Sequence, residues 1–259
     1  MLKYEEPSRK NPRMDLATRA RLLIGAKRRI TVDDSFALPA VRTTVEKLGY
    51  GKLGKKIGAG GEYSVRELGK NKVARIDEPD NIKLVRNYIK WSENNLAFLR
   101  ENIPDCIPNP EIILAELDDD TGCCVVIEDK VRGKGLSQLQ EDDLAIIKSP
   151  LLSILRANEK FLRERGLVLD LTAIEHLKPT KNPSIVFNPR HTDNIFATID
   201  EDGKLNGGAL LLDLLALPNK YNPNFPKRFR MSSLWYRLVG PAMLKYQRKL
   251  IKKLESIQD

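Results

Sequence analysis

The stretch Gly58-Ala59-Gly60-Gly61-Glu62-Tyr63-Ser64-Val65, followed by Val73-Ala74-Arg75-Ile76, constrains this chain more than any other. It reads as two strands joined by a glycine-rich turn, with a cation on the second strand. Phosphates need that combination, because glycines let backbone N–H groups come close to the oxygens and a nearby cation offsets their charge. The same glycines would also serve a plain hairpin turn, so the stretch by itself leaves both readings open.

The next eighty residues narrow the choice. Asn81 to Arg100 has a helical pattern, with Leu84, Ile89, Leu96 and Leu99 on the apolar spacing and Glu93 inside it. The proline-punctuated segment Ile103-Pro104-Asp105-Cys106-Ile107-Pro108-Asn109-Pro110 stops that helix. Glu111 to Glu116 and Cys123 to Ile127 then read as two apolar strands around the turn Asp118-Asp119-Asp120-Thr121-Gly122. The second strand runs into Glu128-Asp129-Lys130-Val131-Arg132-Gly133-Lys134-Gly135-Leu136, a glycine-bearing linker that leads to helices.

In this order the features resemble the small lobe of a protein-kinase-like phosphotransferase over residues 46–136. The linker is similar to that of the aminoglycoside and choline phosphotransferase branch, with Val126, Ile127, Glu128 and Gly133 in the family order. The glycine turn approximates the loop G-x-G-x-x-G-x-V, with Val65 at its last position, but Tyr63 stands at the third glycine and Arg75 where the family has its strand lysine. The resemblance implies an α+β fold in two lobes, a small antiparallel β-lobe and a mainly helical large lobe. It implies ATP with Mg²⁺ as the cofactors, bound through Gly58, Ala59, Gly60, Gly61, Val65, Arg75 and Glu128, and an ion pair between Arg75 and Glu93. On this division residues 1–45 are a basic helical extension, 46–129 the small lobe and 130–259 the large lobe.

The continuation carries the chemistry. Asp142 to Arg165 reads as one long helix closed by Gly166, and Leu167-Val168-Leu169-Asp170-Leu171 comes directly after it. His191-Thr192-Asp193-Asn194-Ile195 resembles the end of the family's catalytic loop, which makes Asn194 a metal ligand. The family spacing then puts Pro189 in the place of the catalytic aspartate, and proline can neither accept nor orient a hydroxyl proton. Asp170, which comes after the long helix, and Asp193, beside Asn194, are the candidate bases. Ile195–Ile199 and Gly208–Asp213 read as paired strands around Asp200 to Gly207. Asp213 leaves the second strand as the family's other metal-binding carboxylate does; with Asn194 it would offer oxygen ligands to a hard cation. Weak or absent phosphoryl transfer is the expectation, to an acceptor the sequence does not name. The alternative is a pseudokinase-type binding protein.

Charge adds a second theme. The chain of 259 residues has a formal net charge of +9. Residues 1–30 and 220–259 carry net +6 and +8, which leaves −5 between them. Basic ends suit an anionic partner, whether nucleic acid, acidic protein or lipid, and equally suit solvated helix faces. Asp15 to Ile30 reads as a basic amphipathic helix, and Ser233 to Ile257 as one or two more. Three cysteines, Cys106, Cys123 and Cys124, show no C-x-x-C spacing, and only two histidines occur. A zinc site and a Ser-His-Asp triad are both disfavoured. No apolar run has the length of a membrane span, and the expected location is cytoplasmic.

Overall fold

The computed structural model describes residues 34–59, 63–165, 167–169, 171, 194–212, 216–218 and 244–257. The expected helix at Asp15 to Ile30 lies outside them. Strands β1 (Leu53–Ala59), β2 (Tyr63–Leu68) and β3 (Lys72–Asp77) form an antiparallel meander. β4 (Asp80–Asn81) is a two-residue bridge, and β5 (Glu111–Glu116) and β6 (Thr121–Asp129) form a hairpin. β6 pairs with β3 on one side and β5 on the other, so the long strands lie in the order β1-β2-β3-β6-β5. The glycine turn therefore joins β1 to β2, and Arg75 sits on β3, one strand beyond its expected place.

The period of two sorts the sheet into faces. Leu68, Ala74, Ile76, Ala115, Cys123, Val125 and Ile127 form one core with Val41 and Val45 of α1 (Leu38–Lys47). That helix has Pro39 in its first turn and crosses the division expected at residue 45. Asp34, just before it, binds β2: its carboxylate accepts from Ser64 Oγ at 2.6 Å and from Arg66 Nε and Nη2 at 2.6 and 3.0 Å. The opposite face carries Val65, Val73, Arg75, Val126 and Glu128, which the register puts side by side across β2, β3 and β6.

The helix α2 (Ile82–Asn102) packs against β5 and β6 on that face. Asn81 caps it, its Oδ1 accepting from Lys83 N–H at 3.1 Å. Its buried residues are Ile82, Val85, Asn95, Leu96, Phe98 and Leu99, whereas Leu84 is exposed. Leu96 and Leu99 thus lie on the buried stripe as expected, while at the start of the helix Val85, one residue and about 100° on from Leu84, takes the inward place.

The large lobe begins at β7 (Gly133–Gly135), which pairs with β9 (Ile195–Ile199); β9 in turn pairs with β10 (Leu205–Leu211). The expected hairpin is present, with Gly203 at φ 79° in its turn. The expected single helix over 142–165 is instead α3 (Asp143–Ile146) and α4 (Lys148–Arg165). Pro150 explains the break: its ring collides with the carbonyl four residues back, which belongs to Ile146 at the end of α3. β8 (Leu167–Leu169), directly after α4, pairs with β11 (Ala216–Pro218). The helix α5 over residues 244–255 closes the lobe. Leu144, Leu151, Leu155 and Phe161 share a core with its Leu250 and Leu254. Among the described residues no helix is long and apolar enough to cross a membrane.

Gly133 shows why a glycine closes the linker between the lobes. A Cβ there would lie 2.6 Å from the Ala197 carbonyl oxygen, so β7 can approach β9 only without a side chain. The arrangement is an α+β fold in two lobes, an antiparallel small lobe over a mainly helical large one.

Candidate functional site

Small-lobe and large-lobe residues meet at Arg75. Its neighbours in the sheet are Val65 on β2 and Val126 on β6. The side chain is only 8% exposed. It leaves the sheet toward the large lobe, where Nη1 donates to the Leu212 carbonyl at 2.5 Å. The N–H of the same Leu212 donates to the Asn194 carbonyl at 2.8 Å. One residue at the end of β10 is thus held by the strand cation on one side and by the start of β9 on the other. Asp213 is the next residue in sequence.

A ring covers the guanidinium from the other direction. The Arg75 Cζ lies 4.3 Å from the centroid of Tyr63. Tyr63 pairs with Asp77, so it is the diagonal neighbour of Arg75 on the same face. Tyr63 and Arg75, the two residues at which the sequence departs from the pattern it resembles, are therefore in contact with each other. A cation over an aromatic face is stabilised by the ring quadrupole, and more so when water is excluded.

The expected ion pair between Arg75 and Glu93 is absent, and Glu93 is exposed. The reason is helical phase. Val85, Ser92, Asn95, Leu96 and Leu99 follow the inward stripe of α2, and Glu93 stands about 100° from Ser92. The Ser92 Oγ and Asn95 Nδ2 are buried on that stripe with no hydrogen-bond partner among the described residues.

Gly58 and Ala59 pair with Val65 and Ser64 up to the edge of the turn. A Cβ on Gly58 would meet only Val65, at 3.7 Å, which is ordinary contact. Nothing among the described residues requires glycine there. Glu128 is 6% exposed and directly opposite Val73. Asn194 is half-buried, at the entry to β9. Gly60, Gly61, Asp170, Asp193 and Asp213 lie outside the described residues, as do Pro189 and the rest of the loop before Asn194.

The flanks of Asp170 are nonetheless well defined. Asn158, fully buried on α4, accepts from the Leu169 N–H at 2.7 Å and donates to Gln247 Oε1 at 2.7 Å. Gln247, on α5, donates in turn to the Leu155 carbonyl at 2.9 Å. This network, the Asp34–Ser64–Arg66 cluster and the Tyr63–Arg75 stack are absent from the sequence expectations. For the stack a signal existed: counting the register from the turn puts both residues on one face.

Among the described residues no three His, Cys, Asp or Glu side chains gather as a metal cluster. Burial pushes the Cys123 thiol up to about 12 and that of Cys106 to about 11, so neither is a thiolate nucleophile at neutral pH.

No protein-family model matches the sequence, and no curated protein sequence matches it. Solved structures do. The chain is similar to APH(2")-IIia, solved as its GDP and kanamycin complex, with 15% identity and a TM-score of 0.34, over 48% of this chain and 41% of that one. It is also similar to the aminoglycoside phosphotransferase APH(2'')-Ib, ADP-bound, with 11% identity, a TM-score of 0.29, and 46% of this chain on 38% of that one. A third is APH(2")-IIa in a ternary complex with streptomycin and ATP, at 10% identity and a TM-score of 0.27, again over 46% and 38%. The chain spans about two fifths of the length of the structures it matches. Strand order and lobe connections define the architecture: a glycine turn, a strand cation, a helix, a linker and the β9–β10 hairpin, in that order. That is the order the resemblance to protein-kinase-like phosphotransferases implies.

Proposed function

We propose that this protein binds a purine nucleoside triphosphate with Mg²⁺ between its lobes and is a phosphotransferase of low or no turnover. The observation that carries the reading is the linkage Arg75–Leu212–Asn194, in which a buried cation from the small lobe holds the residue before Asp213. A nucleotide's phosphates carry their charge to such a junction. Asn194 and Asp213 would hold the metal, because a hard cation takes amide and carboxylate oxygens. The ion's contribution, when bound, is to neutralise the charge that develops on the transferring phosphoryl group. The Gly58 backbone approaches the phosphates closely, which accounts for a glycine that no described contact requires.

Low turnover follows from two features. Pro189 occupies the family's base position, and losing a positioned base removes about 10²–10⁴-fold of rate. Arg75 is engaged by Tyr63 and Leu212, where a lysine would swing freely onto the phosphates. Asp170 is the base this chain has to offer: it directly follows β8, whose Leu169 is fixed by Asn158.

The second reading is a binding protein that uses its basic ends to hold an anionic partner. Part of that charge already serves the fold. Arg248 pairs with Glu159 at 3.1 Å, and Lys253 pairs with Glu141. The nucleotide reading is tested by thermal shift with ATP or GTP, with and without Mg²⁺, and then by an assay for released phosphate. A magnesium-dependent rise in melting temperature with little phosphate release supports it; no shift with either nucleotide refutes it.

A further inference from the structure

Ala59 and Ser64 are the last pair of the β1–β2 ladder before the glycine turn. Alternation along β2 puts Ser64, Arg66 and Leu68 on one face and Tyr63 and Val65 on the other. The first face is fixed by a residue from outside the sheet. Asp34 accepts from Ser64 Oγ at 2.6 Å and takes Arg66 in a fork, from Nε at 2.6 Å and from Nη2 at 3.0 Å. Arg66 Nη1 also donates to the Gly54 carbonyl on β1 at 3.3 Å, so one carboxylate ties both strands that lead into the turn. Asp34 and Ser64 are both buried. A fork of charge-assisted bonds shielded from water has little freedom to shift.

The other face of the same strand end carries Tyr63, whose ring centroid lies 4.3 Å from the Arg75 guanidinium. Tyr63 and Ser64 are consecutive, so the backbone that Asp34 holds is the backbone that aims the ring. Arg75 in turn donates to the Leu212 carbonyl. A guanidinium stacked on a ring and bonded to a carbonyl has to give up both contacts before it can turn to phosphate oxygens. Resting on the nucleotide-cleft reading above, we propose that Asp34 is a positioning residue that acts through Tyr63. Its clasp on β2 keeps the ring on Arg75 and so latches the strand cation away from a nucleotide's phosphates. The latch is a brake built into the small lobe, worked from the opposite face of the sheet, and its strength sets the affinity of the cleft.

A latch moves stability and binding in opposite directions, which a merely structural clasp does not. The test is isothermal titration of the full chain and of its Asp34→Asn, Tyr63→Leu and double variants with ATP and with GTP, each with Mg²⁺, beside thermal melts. Asp34→Asn should melt below the parent yet bind nucleotide about 3–10-fold more tightly. Tyr63→Leu should show a gain of similar size. The double variant should gain no more than the larger single change, because both open one latch. A folded Asp34→Asn protein that binds as the parent does, or more weakly, overturns the proposal. Gains that multiply in the double variant overturn the route through Tyr63. If Asp34→Asn does not fold, Ser64→Ala, which removes one bond of the clasp, is held to the same expectations. Binding by the parent with no gain in the variants removes the latch alone, whereas no binding of either nucleotide by parent and variants alike removes the nucleotide cleft with it.

Discussion

The Arg75 guanidinium stacks on the ring of Tyr63 at 4.3 Å while its Nη1 reaches the Leu212 carbonyl. The two residues that depart from the pattern of the resemblance, Arg75 and Tyr63, thus hold each other. The pair behaves as one unit. Tyr63→Leu and Arg75→Lys should each lower stability, and the double variant should lose about 1 kcal/mol less than the sum. Chemical denaturation of the four proteins measures this. Arg75→Lys should also tighten nucleotide binding, because the smaller head is free to turn to the phosphates; unchanged affinity for both Arg75→Lys and Arg75→Ala would place the residue away from them.

Two glycines should respond oppositely. Gly133→Ala forces a Cβ against the Ala197 oxygen and should cost about 1–3 kcal/mol in unfolding free energy. Gly58→Ala has room among the described residues and should melt close to the parent, yet bind nucleotide more weakly. Weak binding by Gly133→Ala with normal binding by Gly58→Ala would reverse the roles assigned to them.

Asp34 gives the fold an acid-labile clasp. The hydrogen-bonded Arg66 guanidinium, helped by Ser64, holds its carboxyl down at about 2 from the ordinary 3.8. A depressed carboxyl stabilises the fold above its unfolded value, and that stability disappears as pH falls through its folded value. The clasp is therefore complete above about pH 4 and is lost toward pH 2, with a contribution of about 2 kcal/mol. Asp34→Asn should be less stable than the parent at neutral pH and should show a flatter stability profile between those pH values. Parallel profiles for the two proteins would show that Asp34 is not clasped in solution.

Much of this architecture is legible in the chain itself. Apolar runs bounded by turns show directly, so β5 and β6 fall where those put them, whereas the two strands read around the glycine turn are three, β1 to β3. Helix phase is harder. Leu84 reads as inward, but Ile82 and Val85 hold the buried positions, and Glu93, which the resemblance would turn toward Arg75, lies on the exposed side of α2. The break at Ile147 is legible too, since Pro150 names the carbonyl it displaces. The clasp by Asp34 and the buried amides of Asn158 and Gln247 depend on elements far apart in sequence, and no local pattern announces such pairs. Pairings between registers, such as Tyr63 with Arg75, lie between these cases.

The amide network should be essential to the large lobe. Asn158→Ala leaves the Leu169 N–H and Gln247 Oε1 without partners in a dry interior, at a cost of about 1–3 kcal/mol. Glu93→Gln, on the exposed side of α2, should leave both melting temperature and nucleotide affinity unchanged. A thermal-denaturation comparison in which Glu93→Gln is the more damaging change would contradict the placement of α2.

The proposed function puts the metal at Asn194, and the magnesium dependence of nucleotide binding is the decisive measurement. Titration of the full chain with GTP should show affinity that Mg²⁺ raises about tenfold or more. Asn194→Ala, which leaves the backbone bond from Leu212 in place, should bind nucleotide with no such dependence on the ion. An absence of binding, or an Asn194→Ala protein that keeps the full effect of magnesium, would contradict the nucleotide cleft.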